Sequence, residues 1–148
     1  MAGNDPALPP YLIVDGHSMV FAWADLNELH SRSPAAARDE LVRRLTTLQD
    51  LASERVVVVF DGRGDATQSD APDDDGVQIF YSPSNGTADQ VIERLAGKYA
   101  GTREITVASR DRAVLDTCSA FGALAISATA LLDRVELAEA DLRRRIGG

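Results

Sequence analysis

The segment Glu54–Asp61, ERVVVVFD, decides the fold because its four consecutive valines form an apolar run without alternation. A continuous β-branched run of this length is typical of a strand that other elements cover on both faces. Strands of that kind belong to parallel sheets, in which helices connect one strand to the next. The segment therefore predicts a central strand of an α/β domain.

Short apolar runs alternate with helical patterns on both sides of this segment. Strands are predicted at Tyr11–Val14, Val56–Phe60, Val77–Tyr81, Ile105–Ala108 and Leu124–Ile126. Helices are predicted at Met19–Leu29, from Pro34 to about Ala52, from Thr87, at Arg112–Phe121 and from Ser127 to Arg145. Strands that alternate with helices predict a three-layer α/β/α sandwich with a largely parallel sheet of about five strands.

The chain has the length of one domain, with 148 residues. We expect residues 1–10 to form a flexible leader and residues 11–146 to form a single domain. The apolar runs are far shorter than the roughly 20 residues that a membrane helix needs. The opening MAGNDPALPP lacks the basic start and apolar core of a secretory signal. These features favour a cytoplasmic protein.

The segment Gly62–Gly76 is rich in Gly, Asp, Ser and Pro, which predicts a mobile, exposed loop. It includes the acidic run Asp73, Asp74 and Asp75. We interpret this run as solvated rather than as a metal cage, because nothing fixes its geometry.

Four aspartates stand where apolar runs end or where a helix begins. YLIVD ends at Asp15, VVVVFD at Asp61 and ITVASRD at Asp111, while GTAD ends at Asp89. The carboxyl ends of parallel strands share one edge of a sheet, which is where such folds build their sites. Carboxylates gathered there repel one another unless a cation lies among them. An oxygen-rich cluster of this kind suits Mg²⁺ or Mn²⁺.

Aspartate is also a good turn and cap residue, so each of the four taken alone has an equally good structural explanation. Other chemistries are poorly supported. The chain has two histidines, one cysteine, no GxSxG, no GxGxxG and no GxxxxGK[ST]. A nucleophilic triad, a structural zinc site and nucleotide binding are therefore disfavoured. In phosphodiester hydrolysis an acidic cluster holds one or two metal ions, and the pattern predicts a nuclease.

The net charge of −8 argues against generic electrostatic capture of nucleic acid. Yet 14 of the 15 basic residues are arginine, and Arg63, Arg110 and Arg112 flank the strand-end aspartates. Arginine presents two parallel N–H groups that match phosphate oxygens. These three arginines are candidate substrate-binding residues, and a GC-rich genome that favours arginine codons is the alternative explanation.

Several motifs occur in an order and spacing that resemble a known family. They are DGHS at 15–18, ERVVVVFD at 54–61, GTADQVIERL at 86–95, ITVASRDR at 105–112 and GALAISATAL at 122–131. The chain resembles the NYN domains of the PIN-like nuclease superfamily, and within them the YacP-like group of bacterial ribosome-associated endoribonucleases. The resemblance runs from Tyr11 to about Glu136.

The resemblance implies a PIN-like sandwich and a divalent-metal-dependent endoribonuclease that cuts single-stranded RNA, with mRNA on the ribosome as a candidate substrate. From the short apolar runs we expect no membrane partner, and no DNA preference is evident. Carried onto this chain, Asp15, Asp89 and Asp111 are the metal ligands, and Asp61 is a fourth acidic catalytic residue of the same pocket.

The family has Tyr and Asn where this chain has His17 and Ser18. Serine reaches less far than asparagine, which would weaken activity. His17 either replaces tyrosine as a packing residue, or it contacts a phosphate or serves as an acid. Ser109 and Arg110 stand where the family has Thr and Ser, and we include both among the candidate substrate-binding residues.

Two alternatives to an active nuclease remain open. The first is a catalytically weakened module of the same fold that binds RNA, a ribosome or a protein. The second, a phosphotransfer domain, is less well supported because the first strand lacks DxD and the single lysine, Lys98, lies in a predicted helix.

Overall fold

The structure, a computed structural model, describes residues 8–62, 68–70 and 76–147, with only the backbone described for 68–70. The greater part of the predicted leader, Arg63, the acidic run 73–75 and most of the predicted loop at 62–76 lie outside the described residues.

The described residues form strands and helices in alternation. The strands are β1 (Tyr11–Asp15), β2 (Arg55–Phe60), β3 (Gln68–Asp70), β4 (Gln78–Tyr81), β5 (Ile105–Ala108) and β6 (Leu124–Ile126). The helices are α1 (Gly16–Ala22), α2 (Ala24–Arg32), α3 (Pro34–Leu51), α4 (Ala88–Tyr99), α5 (Arg112–Ala120) and α6 (Ala128–Gly147).

One sheet runs through the part of the chain that is described, in the order β3-β4-β2-β1-β5-β6. The five strands β4, β2, β1, β5 and β6 are parallel, as predicted. β3 is a correction: Gln68–Asp70 lies in the segment predicted to be loop, yet it pairs antiparallel with β4 at the edge. The residues of β3, QSD, carry no apolar pattern that would predict a strand. The strand forms nevertheless, because backbone pairing with β4 is sufficient at the edge of a sheet.

The sheet is covered on both faces, which explains the unbroken valine run of β2. Val56 and Val58 belong to the core on one face, beneath α1, α2, α3 and α6. Val57 and Val59 belong to the core on the other face, beneath α4 and α5. β1 divides in the same way, with Leu12 and Val14 opposite Ile13. The predicted three-layer α/β/α arrangement is therefore confirmed.

The predicted single helix Met19–Leu29 is wrong, because the chain breaks at Trp23. This residue adopts an extended backbone (φ −88°, ψ 119°) between α1 and α2. Its indole is buried, and Nε1 donates a hydrogen bond to the carbonyl of Ala128 at 3.0 Å. Burying the indole against α6 outweighs the continuation of the helix.

Two predicted helix starts are confirmed. The amide of Ala36 donates to the hydroxyl of Ser33 at 3.1 Å, and Pro34 occupies the first turn of α3. Thr87 and Gln90 form the predicted capping box at the start of α4. This cap matters for function because Asp89 lies in the same first turn.

The parallel strands bring their carboxyl ends to one edge, and α1, α4 and α5 begin there. Asp15 ends β1, Asp61 follows β2 and Ser109 follows β5. The partial positive charges of the helix N-termini favour carboxylates at this edge. Within the described ranges, no helix is long and apolar enough to cross a membrane.

Candidate functional site

A cleft of about 540 Å³ opens at the carboxyl edge of the sheet. Its lining residues are Asp15, His17, Ser18, Phe21, Asp61, Asp89, Arg110 and Asp111. The structure thus places all four of the predicted aspartates in a single cleft, although they are far apart in sequence.

Asp15 lies at the base of the cleft and is only 6% exposed. Its Oδ2 atom accepts hydrogen bonds from the hydroxyls of Ser18 at 2.8 Å and Ser109 at 2.9 Å. Its Oδ1 atom lies 3.5 Å from the amide of Ser18, at the N-terminus of α1. Donors from two separate parts of the chain therefore fix the orientation of this carboxylate.

The two serines extend this network towards Asp111. The amide of Arg110 donates to the hydroxyl of Ser18 at 3.2 Å, and the amide of Asp111 donates to the hydroxyl of Ser109 at 3.0 Å. Both serines are buried. These contacts favour a role in positioning Asp15 and the β5–α5 turn, while direct contact of either serine with substrate stays a prediction.

Asp61 and Asp111 both bind helix N-termini. Oδ1 of Asp61 accepts from the amide of Ala88 at 2.8 Å, at the start of α4. Oδ1 of Asp111 accepts from the amide of Ala113 at 2.9 Å and caps α5. The capping and cleft-lining roles of these aspartates are thus compatible, because each carboxylate keeps a second oxygen.

Asp89 responds electrostatically to its neighbours. Burial, first, and then the negative charges of Asp15 and Asp111 together raise the pKa of Asp89 to about 6. A hydrogen bond with Asp111 and the charge of Asp61 act in the same direction. Four acidic groups in one cleft therefore favour a proton on Asp89 when no cation compensates their charge.

The donor chemistry of the cleft fits a hard divalent cation, because carboxylate oxygens dominate its lining. After burial, the charges of the neighbouring carboxylates are the largest causes of the raised pKa of Asp89, and a cation would offset them. In the described part of the chain, however, no three His, Cys, Asp or Glu side chains already surround one point as ligands. A bound cation would therefore require the carboxylates in the cleft to rearrange around it.

His17 lies at the mouth of the cleft, held mainly by aromatic contacts. Its ring stacks on Phe21 with centroids 6.2 Å apart and meets Phe60 edge-on at 5.6 Å. Nδ1 lies 3.4 Å from both the amide and the carboxylate of Asp61. Both polar contacts are long and use the same nitrogen, so packing positions the ring while one face remains in the cleft.

The three predicted arginines have different positions. Arg110 is exposed and lines the cleft. Arg112 begins α5 and contacts Asp116 one turn along the helix at 3.5 Å, and it is not among the lining residues. Arg63 lies outside the described residues. Of the two candidate arginines that the structure describes, Arg110 is the one that lines the cleft.

Gly16 is required by a close approach of two elements. A Cβ atom at this position would lie 2.4 Å from the ring of Phe60 and 3.0 Å from the carbonyl of Val59. Only glycine lets α1 begin so close to β2. The glycine in DGHS therefore holds Asp15 and His17 against the strand that leads to Asp61.

Phe21 is a cleft residue that the sequence did not single out. It belongs to the apolar run of α1, which predicts burial, yet it is 40% exposed. A signal was present, since Phe21 follows His17 by one helical turn and shares its face.

Comparison with known proteins places the chain in a family. A family model described as the YacP-like NYN domain matches residues 12–147. The chain is 34% identical over 136 residues to the uncharacterized protein YacP of Bacillus subtilis, covering 91% of this chain and 80% of that protein.

Two solved structures are also similar. A mutant form of Rae1 (YacP) from Bacillus subtilis superposes with a TM-score of 0.78, at 34% identity, over 92% of this chain and 80% of that one. The crystal structure of Rae1 (YacP) itself gives a TM-score of 0.77, over 92% and 79% of the two chains. The family match extends beyond Glu136, where the predicted resemblance ended, to residue 147. Because the family model covers most of the chain and the relative is 34% identical, the chain belongs to the YacP-like NYN domain family, with a PIN-like fold and a nuclease-type, RNA-related role.

Proposed function

We propose that the protein is a Mg²⁺- or Mn²⁺-dependent endoribonuclease that cuts single-stranded RNA in the cytoplasm. The observation that carries the proposal is the meeting of Asp15, Asp61, Asp89 and Asp111 in one cleft beside an exposed arginine. Within this class of substrate, mRNA on the ribosome is the candidate that the family resemblance implies.

Asp15, Asp89 and Asp111 are the proposed metal ligands. When bound, a divalent cation would activate water for attack on a phosphodiester and neutralise charge on the leaving oxygen. Ser18 and Ser109 keep Asp15 in one orientation, so the most buried ligand needs no reorganisation. Asp89 would lose its proton when a cation binds, because proton and cation compete for the same negative charge.

The remaining cleft residues bind and orient the substrate. Arg110 supplies a guanidinium beside the carboxylates and is the proposed contact for the scissile phosphate. His17 and Asp61 lie together at the mouth of the cleft, where they face the neighbouring part of the RNA backbone or the attacking water. Ser18, Ser109, Arg63 and Arg112 remain predicted substrate-binding residues.

The experiment compares Asp15→Asn and Asp89→Asn with wild-type protein on a single-stranded RNA oligonucleotide, with and without Mn²⁺. With Mn²⁺ present, both variants should cut no faster than the wild type does without metal, because each variant lacks one charged ligand. Circular dichroism and thermal melting check that the fold survives. Asp133→Asn, a change of the same kind at an exposed site on α6, is the matched control and should cut normally. Equal cutting by all four proteins would contradict the proposal.

A second candidate, an RNA-binding module with weakened chemistry, is favoured by one observation. Ser18 stands where the family has asparagine, and its hydroxyl is already used by Asp15. Calorimetric titration with Mn²⁺ separates the two candidates. A nuclease should bind Mn²⁺ with a defined stoichiometry, and Asp89→Asn should abolish this binding. A binding module with weakened chemistry should bind RNA but show no heat of metal binding at millimolar Mn²⁺.

A further inference from the structure

Among the described residues that line the cleft, Phe21 is the one with an apolar side chain. Its side chain is large and 40% exposed beside a cluster of carboxylates. Exposed apolar residues are common on protein surfaces, so exposure alone carries no meaning. Its position is what calls for an explanation, since Phe121, Leu124, Leu137 and Ile146 are more exposed and none of them lines the cleft.

The ring of Phe21 is held in a fixed orientation without being covered. His30 packs edge-on against it with centroids 4.8 Å apart and planes at 65°. His17 stacks beside it at 6.2 Å and 25°, and His17 is itself held by Phe60. Phe60, His17 and Phe21 therefore form an aromatic row from the core to the cleft, and His30 packs against its exposed member. A ring held between two neighbours has little side-chain freedom left for a ligand to remove.

The cleft combines two kinds of surface that match the two parts of a nucleotide. The carboxylates and Arg110 suit the phosphate backbone, either through a cation or directly. A fixed aromatic face suits a nucleobase, because bases in single strands stack on aromatic side chains regardless of their identity. A duplex has its bases already stacked on one another and offers none to such a ring.

We propose that Phe21 stacks on a nucleobase next to the scissile phosphate and so selects single-stranded over double-stranded substrate. This inference rests on the proposed function, because it assigns a binding role within the same cleft. Phe21 positions the strand, and the polar residues carry the chemistry. His17 and His30 support the ring.

The first test measures binding of a short single-stranded RNA in the Asp15→Asn background, which prevents cutting. Phe21→Ala should weaken binding about tenfold or more, as expected for the loss of one base–aromatic stack. Phe21→Trp should bind as well as the parent. Phe21→Leu keeps apolar bulk without a ring and should resemble Phe21→Ala. Phe121→Ala, which removes a half-exposed ring away from the cleft, is the matched control and should change nothing.

The second test uses RNA in which single nucleotides lack their base, cut by otherwise wild-type protein. Removing the base next to the cut should slow the wild type about tenfold and should slow Phe21→Ala no further, because the partner of that base is already gone. Mn²⁺ titration and thermal melting of Phe21→Ala should match wild type, which separates loss of stacking from damage to the cluster.

The outcomes distinguish this inference from the proposed function. If wild type cuts and Phe21→Ala cuts and binds equally well, or if Phe21→Leu restores full binding, the stacking assignment is overturned and the nuclease stands. If wild type neither binds nor cuts single-stranded RNA, both fall together.

Discussion

At the scale of single residues, Asp111 performs two tasks with one carboxylate. Its Oδ1 atom caps α5 through the amide of Ala113, and its side chain raises the pKa of Asp89 across the cleft. An aspartate at the end of a strand is therefore not forced to be either a cap or a cleft residue. The two tasks can be separated by substitution, since asparagine caps a helix about as well as aspartate.

We predict that Asp111→Asn retains the stability of the wild type and loses metal-dependent activity. Asp111→Ala should lose activity as well and should also lower the free energy of unfolding by about 1 kcal/mol, the usual cost of a missing N-cap. Urea denaturation of both variants, with a Mn²⁺ titration, measures the two effects. Equal stability of the alanine and asparagine variants would show that the cap contributes nothing.

The pKa of Asp89 predicts how the metal-free protein responds to pH. This pKa lies near 6 in the folded state, above the value of 3.8 for a free carboxyl. The folded state therefore binds more protons than the unfolded state between these values. Its contribution to stability falls as the pH rises from about 4 to about 6, and the loss persists above that range.

Asp89→Asn removes this effect, so the variant should gain stability relative to metal-free wild type as the pH rises from about 4 to about 7. Mn²⁺ should stabilise the wild type most at the upper end of this range and should leave the variant unchanged. Thermal melting at several pH values, with EDTA or with Mn²⁺, checks both statements. A difference between the two proteins that is constant with pH would contradict the assigned pKa.

At this scale, a site residue can be identified from the sequence when its role follows from a local pattern. The strand-end aspartates stand out because a parallel sheet gathers strand ends at one edge. The hydrogen bond from Ser109 to Asp15 joins residues far apart in the chain, and no spacing in the sequence predicts it. The exposed face of Phe21 was missed for a related reason, because an apolar residue in a helix is ordinarily assigned to the core.

At the scale of elements, α1 can start so close to β2 only because residue 16 is glycine. The nearest ring atom of Phe60 would lie 2.4 Å from a Cβ atom at position 16. Alanine usually stabilises a helix relative to glycine, by up to about 1 kcal/mol. At position 16 the clash with Phe60 outweighs this gain, so alanine should lower the free energy of unfolding.

Gly16→Ala should lower the free energy of unfolding by about 1–3 kcal/mol, as overpacked core substitutions do. Cutting activity should fall too, because the displaced turn carries Asp15 and His17. Gly97→Ala in α4 is the matched control. Its new Cβ atom would meet the Phe121 ring at an ordinary 3.4 Å, and we expect a neutral or stabilising change in chemical denaturation. If both alanines behave alike, the close approach is not decisive.

The elements could be predicted wherever their cause is local. The capping box at Thr87, the Ser33–Pro34 start and the valine run of β2 each carry their own signal, and each is confirmed. The break at Trp23 has its cause in Ala128, a hydrogen-bond partner on another helix. β3 has its cause in the edge of β4. Neither partner can be identified from the residues that respond to it.

At the scale of the whole molecule, Arg44 joins three helices on one side of the sheet. From α3 it donates to Glu139 on α6 at 2.8 and 3.0 Å and to Asp25 on α2 at 3.2 Å. Its guanidinium also lies 5.3 Å from the centre of the Trp23 ring. Hydrogen bonding to Glu139 raises the pKa of Arg44, so the side chain stays charged although it is buried.

We predict that Arg44→Met lowers the free energy of unfolding by about 2–4 kcal/mol, because Glu139 keeps a partly buried charge without its partner. Arg43→Met removes an exposed pair with Glu40 from the neighbouring position and should cost less than about 1 kcal/mol. Neither variant should change Mn²⁺ binding, since neither arginine lines the cleft. Denaturation curves of the pair test this, and similar losses for both would contradict a special role for Arg44.

The central position of β1 affects how the chain behaves while it is being synthesised. β1 is synthesised before both of its neighbours in the sheet, since β2 is Arg55–Phe60 and β5 is Ile105–Ala108. Until β5 emerges, β1 has an open edge of unpaired backbone groups, which is where chains associate with one another. A product that ends before β5 would therefore be prone to aggregate. It would also carry Asp15 without the Ser109 hydroxyl that orients this carboxylate.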